Sequence, residues 1–406
     1  MSADASNAPN APNAPSAAGS KAADLRKPLA GRRVLDFSGV LAGPLGTMML
    51  ADLGAEVIKV EPPAGDQSRQ LPLFDDEGAS LYYKSVNRGK HSIGVDLKSP
   101  AERAKLAELI ASADVVIENF RPSVRKSLKL EFEDLKRINP KVVMCSLTGF
   151  GDVGPYADRP AYDIIIQAMS GGMSITGHAN DPRGPVRAGI PIADMSGGMT
   201  VSLLAILGLF IRETTGQPVR LDSSLLEVQL SFMTYMAAFY LNQGVVPGPQ
   251  GSGHPTGPVY RAFKASDKYL VVVADHDAHW IKLCKALGRE DWLKDPALQN
   301  VTGRKERKPE IVAYLEKTFA GDTVAAWCAR LSEFGVPCSP INSLSDILED
   351  PHVREALQQV IELPGPGGKP WYSMGTPFRI NGERPTAMRA PPEFNRDGPA
   401  YLGKAD

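Results

Sequence analysis

The chain is poor in the residues that would make it a disulfide scaffold or a metal protein. Its four cysteines, Cys145, Cys284, Cys328 and Cys338, are scattered with no C-x-x-C pair. That argues against a disulfide framework or a zinc site and fits a reducing, cytoplasmic compartment. An excess of charge is also lacking: 45 Lys and Arg against 46 Asp and Glu leave a net charge of −1. No overall field therefore draws the chain to nucleic acid or an anionic membrane, and any anionic ligand must be bound locally. The longest apolar run, Leu203 to Ile211, falls short of the roughly 20 residues of a membrane span, so no membrane crossing is expected. Histidines number only six, and no G-x-S-x-G elbow supports a Ser-His-Asp hydrolase.

What is present is a globular composition. With 406 residues, 43% hydrophobic and 22% charged, the chain can bury a sizeable core and form more than one folding unit. The first 27 residues carry three Asn-Ala-Pro repeats and almost nothing that packs, so a disordered tail is expected over 1–27; they have neither the apolar stretch of a secretory signal nor the Arg-rich character of a transit peptide. From Gly31 the pattern alternates: RRVLDFSG as strand, GPLGTMMLADLG as a helix ending at Gly54, AEVIKVEPP as strand, then SIGVDL, PAERAKLAELIASA, DVVIENF and KVVMCSLTGFG. This predicts an α/β fold, a doubly wound, Rossmann-like parallel sheet in a large unit over 28–225. A linker helix and loop follow over 226–249. A smaller α+β unit over 250–330 opens with a hairpin in YRAFKASDKYLVVVA, and the proline-rich segment 331–406 is expected to return to the large unit.

Three site readings compete. Gly39, Gly43 and Gly46 between strand and helix invite a dinucleotide site, but the spacing is G-x-x-x-G-x-x-G, not the G-x-G-x-x-G whose tight turn lets backbone approach a pyrophosphate. DHDAH, Asp275 to His279, offers metal-ligand residue types with no further cluster to complete a site, and Asp277 reads as an N-cap of the helix that follows. His91, His178, His254 and His352 are isolated. The third is Asp194, a lone carboxylate between the apolar, strand-like run AGIPIA and a helix expected from Met195 to about Thr214. Helix capping is its plain use. Against that stand Gly197 and Gly198 in the first turn, each costing about 1 kcal/mol of helix stability relative to alanine. Bare backbone there suits the close approach of a ligand carbonyl, and the helix dipole is expected to keep Asp194 ionised, as a carboxylate nucleophile requires.

The segments LAGRRVLDFSGVLAGPLGTMMLADLGAEVIKVEPPAGD, VIENFRPSV, LTGFGDVGPYADRPAYDIIIQAMSGGMSITG, IADMSGG and FGVPCSPINSLSDILEDPHV together resemble family III CoA-transferases, the group of the formyl-CoA and carnitine CoA-transferases. The likeness covers nearly everything after residue 28. It implies that Asp194 attacks an acyl-CoA thioester to give an acyl-aspartyl anhydride and then an aspartyl-CoA thioester, with coenzyme A as substrate and no permanently bound cofactor. It also implies CoA contacts at Leu41, Ala42, Val95, Lys98, Asn119, Phe120, Arg121, Tyr162 and Asp163. Lys98 and Arg121 suit phosphate, and Phe120 an adenine face. Pro62 and Ser127 stand where some relatives have arginine, leaving Arg69, Arg125 or Lys126 to compensate. GPQGSGHPTG falls where relatives carry a loop that closes over the intermediate.

The resemblance further implies an interlocked homodimer, acyl-CoA and small carboxylic acids as partners, and succinyl-CoA as donor, with Arg159 or Arg187 meeting the distal carboxylate of a dicarboxylic acid. The related α-methylacyl-CoA racemases are the alternative. Their proton exchange needs an acid and a base on opposite faces of the substrate, and their aspartate follows a histidine in Gly-His-Asp-Ile-Asn-Tyr. Here the segment is Ala161-Tyr162-Asp163-Ile164-Ile165, with no histidine between His91 and His178, so transfer is favoured. A CoA-binding protein without turnover is the third class; the intact Asp194 segment argues against it.

Overall fold

Short, uninterrupted apolar runs make the central sheet of the computed structural model, which describes residues 24–365 and 368–403. The expected tail lies outside the described residues up to position 23. Six strands, β1 (Arg33–Asp36), β2 (Glu56–Glu61), β3 (Lys90–Gly94), β4 (Val115–Glu118), β5 (Val143–Thr148) and β6 (Val219–Ser224), run parallel in the order β3-β2-β1-β4-β5-β6. Val34, Leu35, Val57, Ile58, Val116, Ile117, Val143 and Met144 are buried, because helices cover both faces of such a sheet; that is why its strands read as continuous rather than alternating apolar runs. The doubly wound α/β expectation is borne out. The order reverses between β1 and β4, where the two loops part and a crevice opens beyond the strand ends.

The helix after β1, Ala42–Asp52, is buried along its whole length. Gly54 just beyond it takes a left-handed φ of 95°, the conformation that ends many helices and that glycine adopts without strain. Against it lies the helix Ile192–Thr215, which connects β5 to β6. These 24 residues are long and apolar enough to cross a membrane by length and composition, more than the run Leu203 to Ile211 suggested. The run before it is irregular rather than strand-like.

The glycines of this helix have a different purpose from the one expected. A Cβ on Gly198 would sit 2.5 Å from the Ala42 carbonyl, one on Gly46 2.5 Å from the Gly198 carbonyl, and one on Gly197 2.5 Å from Leu225 Cδ2. Gly197 and Gly198 are buried. Gly198, with Gly46, lets two helices touch backbone to backbone, and Gly197 makes room for the Leu225 side chain; neither exposes backbone to a ligand.

A second, antiparallel sheet joins β7 (Tyr260–Lys264), β8 (Tyr269–Val273) and β9 (Cys338–Pro340), with Phe263, Leu270, Trp280, Phe319 and Trp327 in its core. The hairpin expected in YRAFKASDKYLVVVA is β7–β8. The sheet runs on past residue 330, because β9 pairs with β8. After the hairpin of β10 (Val360–Pro364) and β11 (Pro370–Met374), the chain lies along β3, where Arg389 O accepts from Gly89 N at 2.8 Å and Asp397 Oδ2 from Ser92 N at 3.0 Å.

Candidate active site

Two clefts open where β1 and β4 diverge. The first, about 400 Å³, is lined by Leu41, Ala42, Arg121, Thr148, Arg159, Tyr162 and Asp194. The second, about 620 Å³, is lined by Glu61, Pro62, Asp66, Val95 and Lys98. Gly39, Val40, Gln67, Asn119 and Phe120 face both, so the loop after β1 is a ridge between them. Buried polar groups fix that ridge. Asn119 takes Gly39 N on Oδ1 at 2.9 Å and returns Nδ2 to Gly39 O at 3.1 Å, while Lys59 Nζ donates to Ser38 O at 2.7 Å and pairs with Asp66 at 2.7 Å. Burial works against ionising Asp66, but the Lys59 charge and the Ser68 hydrogen bonds bring it down to about 2.

Asp194 is the third residue of its helix, not its cap. Pro191 precedes the helix and offers no side-chain cap. The orphan N–H groups are met from another element: Asp163, at the start of the helix Asp163–Met169, accepts Ala193 N at 2.8 Å and Asp194 N at 3.4 Å on Oδ1. Its Oδ2 takes Gln167 Nε2 at 2.7 Å, and Gln167 Oε1 accepts Ala188 N at 2.9 Å. With the helix end satisfied from outside, the Asp194 carboxylate accepts no hydrogen bond from any described residue and faces the first cleft. Burial first, and then the neighbouring Asp163 charge, push it up to about 7. This corrects the expectation that the helix dipole keeps it ionised: the macrodipole is worth about 1 kcal/mol at such a site, less than burial and a like charge together. Tyr82, like Met195 and Val40, packs against the buried cluster of Leu41, Leu45, Met48 and Val86, and its hydroxyl is raised by burial and by the Asp194 and Asp66 charges.

The structure sorts the candidate CoA contacts. Leu41, Ala42, Arg121 and Tyr162 line the Asp194 cleft, Val95 and Lys98 the other, and Asn119 and Phe120 both. Lys98 and Arg121 therefore serve different clefts. Asp163 lies beneath the Asp194 helix with its carboxylate occupied by the bonds above. Two proposed substitutes for missing arginines are corrected. Arg125 is buried among Glu118, Glu131, Ser146 and Asp152, and Arg69 is held by Glu61 at 2.7 Å and stacked on Tyr83 at 3.7 Å. Lys126 is exposed. Arg159, over Tyr156 at 4.2 Å, shares the Asp194 cleft, whereas Arg187 donates to Ala188 O and Gly189 O and is not among its lining residues.

Asp277 does not cap its helix but pairs with the buried Arg304 at 2.6 Å. No group of three metal-binding side chains occurs among the described residues. Nor is His254 isolated, since its ring lies 3.2 Å from Tyr235 Oη and 2.8 Å from Thr256 Oγ1. Sequence reasoning missed Tyr82 and the capping role of Asp163. A proline just ahead of the Asp194 helix, unable to cap, was the available signal for the second; nothing local marked the first.

A family model described as CoA-transferase family III matches residues 29–398. The Mus musculus protein named succinyl-CoA:glutarate CoA-transferase is 39% identical over 81% of this chain and 76% of that protein. The Acetobacter aceti protein named acetyl-CoA:oxalate CoA-transferase is 35% identical over 92% of this chain and 94% of that one. A crystal structure of a CAIB/BAIF family protein from Brucella suis matches with a TM-score of 0.83 and 33% identity, covering 92% of this chain and 98% of that chain.

Proposed function

Because the chain belongs to the family III CoA-transferases, we propose that it moves CoA from succinyl-CoA to a free dicarboxylic acid through covalent intermediates on Asp194. The observation that carries this reading is the state of that side chain: a carboxylate that accepts no hydrogen bond from a described residue, raised to about 7, facing a cleft that adjoins a second one roomy enough for a nucleotide arm.

In this mechanism an Asp194 oxygen attacks the thioester carbon, the C–S bond breaks, and the CoA thiolate leaves an acyl-aspartyl anhydride. The thiolate attacks the aspartyl carbonyl, releasing the donor acid and forming an aspartyl-CoA thioester. The acceptor carboxylate reverses both steps: it attacks the aspartyl carbonyl and expels the thiolate, which then attacks the acceptor's acyl carbon and restores Asp194. No proton is gained or lost, and the thioester energy is retained without ATP. Poor solvation makes the ionised Asp194 more basic than an exposed aspartate, which favours attack at the expense of the fraction ionised. The helix start at Ala42, on the same cleft, suits developing negative charge.

A dicarboxylic acceptor is supported by the acids in the relatives' names, glutarate and oxalate, and by Arg159 on the Asp194 cleft, whose guanidinium can take a distal carboxylate. A homodimer is part of the proposal. Met199, Leu203 and Phe210 on the outer side of the Asp194 helix are 51%, 63% and 63% exposed, an apolar helix face of the kind that a partner chain covers. A reducing, cytoplasmic setting rests on the four free cysteines.

The test is to incubate the enzyme with succinyl-CoA and glutarate in deuterated buffer and read the thioesters by mass spectrometry. Glutaryl-CoA without deuterium at the α-carbon supports transfer. Exchange of the α-proton of a 2-methylacyl-CoA at comparable rates, with no new thioester from a broad panel of acids, would overturn it.

A further inference from the structure

The ridge between the two clefts is built on a conformation its own residue disfavours. Val40 has a φ of 69°, the left-handed region, where a β-branched side chain crowds the backbone. Such strain persists only where surrounding groups over-determine it, and it clusters at functional sites. Asn119 grips Gly39 and Lys59 grips Ser38, but among the described residues only Asp66 grips the Val40 N–H, both carboxylate oxygens lying 3.3 Å from Val40 N. Asp66 is buried and fixed in turn by Ser68 N at 2.8 Å, Ser68 Oγ at 2.7 Å and Lys59 Nζ at 2.7 Å. On the other side of the ridge, Val40 packs against the buried cluster of Leu41, Leu45, Met48 and Val86, which also supports Tyr82 and Met195, the residue next to Asp194. A relaxation at Val40 would therefore shift the wall of both clefts and the packing beside the nucleophile together.

We propose that Asp66 is a positioning residue for CoA transfer: through the Val40 N–H it holds the ridge in its left-handed turn, so that a thioester reaching over from the larger cleft presents its carbonyl to Asp194. This rests on the covalent reading above. Without Asp66 the strained turn relaxes, and misplacement of about 1 Å at a reacting centre costs on the order of 100-fold in rate.

The experiment compares Asp66→Ala, which removes the acceptor, Val40→Gly and the double variant for kcat, for KM towards acyl-CoA and for thermal midpoint. Asp66→Ala is expected to lower kcat about 10- to 100-fold while the protein stays folded. Glycine occupies the left-handed turn without strain, so adding Val40→Gly to Asp66→Ala should return kcat to within about 3-fold of Val40→Gly alone, a non-additivity that a purely structural role would not give. Should Asp66→Ala fail to fold, Ser68→Ala, which removes the hydroxyl that fixes Asp66 Oδ1 at 2.7 Å, runs the same comparison and is expected to lower kcat about 3- to 10-fold and to be rescued in the same way. A folded variant with wild-type kcat, or a loss that Val40→Gly leaves unrepaired, overturns the proposal. Absence of CoA transfer by the wild-type enzyme would instead overturn the underlying reading, so the two failures are distinguishable.

Discussion

Asp163 accepts the backbone N–H of Asp194 at 3.4 Å and at the same time raises the carboxyl that follows it. One side chain thus anchors the helix and tunes the residue the helix presents. Removing its charge while keeping its acceptor oxygen separates the two effects. In the wild type, kcat/KM for acyl-CoA should rise with pH through about 7 and then level off if the ionised carboxylate is the nucleophile, as proposed. Asp163→Asn should move that rise to lower pH with little change in the plateau. Asp163→Ala should also lower the thermal midpoint, since losing a helix cap costs about 1 kcal/mol. A pH profile over 5 to 9 for the three enzymes checks this.

The same shift has a stability consequence. Burial and the Asp163 charge push the Asp194 carboxyl up to about 7 from its ordinary value of 3.8, so the folded state holds its proton more tightly than the unfolded one. The cost of ionising it is absent below the unfolded value, grows as pH rises towards the folded value, and is constant above it. Asp194→Asn should therefore be more stable than wild type, by roughly 1–3 kcal/mol more at pH 8 than at pH 5. Denaturant melts at the two pH values measure it; an equal effect at both would show that Asp194 is not raised.

Packing gives a third expectation. Gly198→Ala would place a methyl 2.5 Å from the Ala42 carbonyl, where backbone must move. Overpacking of this kind costs about 1–3 kcal/mol, so the thermal midpoint should fall clearly. A variant as stable as wild type would mean that the helices do not touch there.

Acceptor choice gives a fourth. Arg159→Gln should raise the KM for glutarate about 10-fold or more, as expected for losing a charge-assisted hydrogen bond, while leaving a monocarboxylate acceptor such as butyrate unaffected. Steady-state kinetics with the two acids decide it; equal losses for both would place Arg159 on the CoA rather than on the acceptor.

Much of the fold was legible because it is written locally. The short apolar runs of β1 to β5 stand between turn residues, and Gly54 marks a helix end by the one conformation it favours. Asp194 was legible too, but for a mistaken reason: Gly197 and Gly198 looked like room for a ligand, and their neighbours Ala42, Leu45 and Leu225 lie far off in sequence. Arg69 and Arg125 looked like free cations for the same cause, because what holds them includes a stacked Tyr83 and a distant Asp152. Asp163 was grouped with ligand contacts because the helix it caps begins some 30 residues later. Tertiary partners of this kind leave no local pattern to read.

The most direct test mixes the enzyme rapidly with succinyl-CoA in the absence of acceptor, quenches it, and maps the adduct by peptide mass spectrometry. Covalent attachment of succinyl or CoA at Asp194, absent in Asp194→Asn together with turnover, is the predicted result. An unmodified Asp194 during full-rate turnover, or an Asp194→Asn enzyme that keeps its speed, would contradict the account.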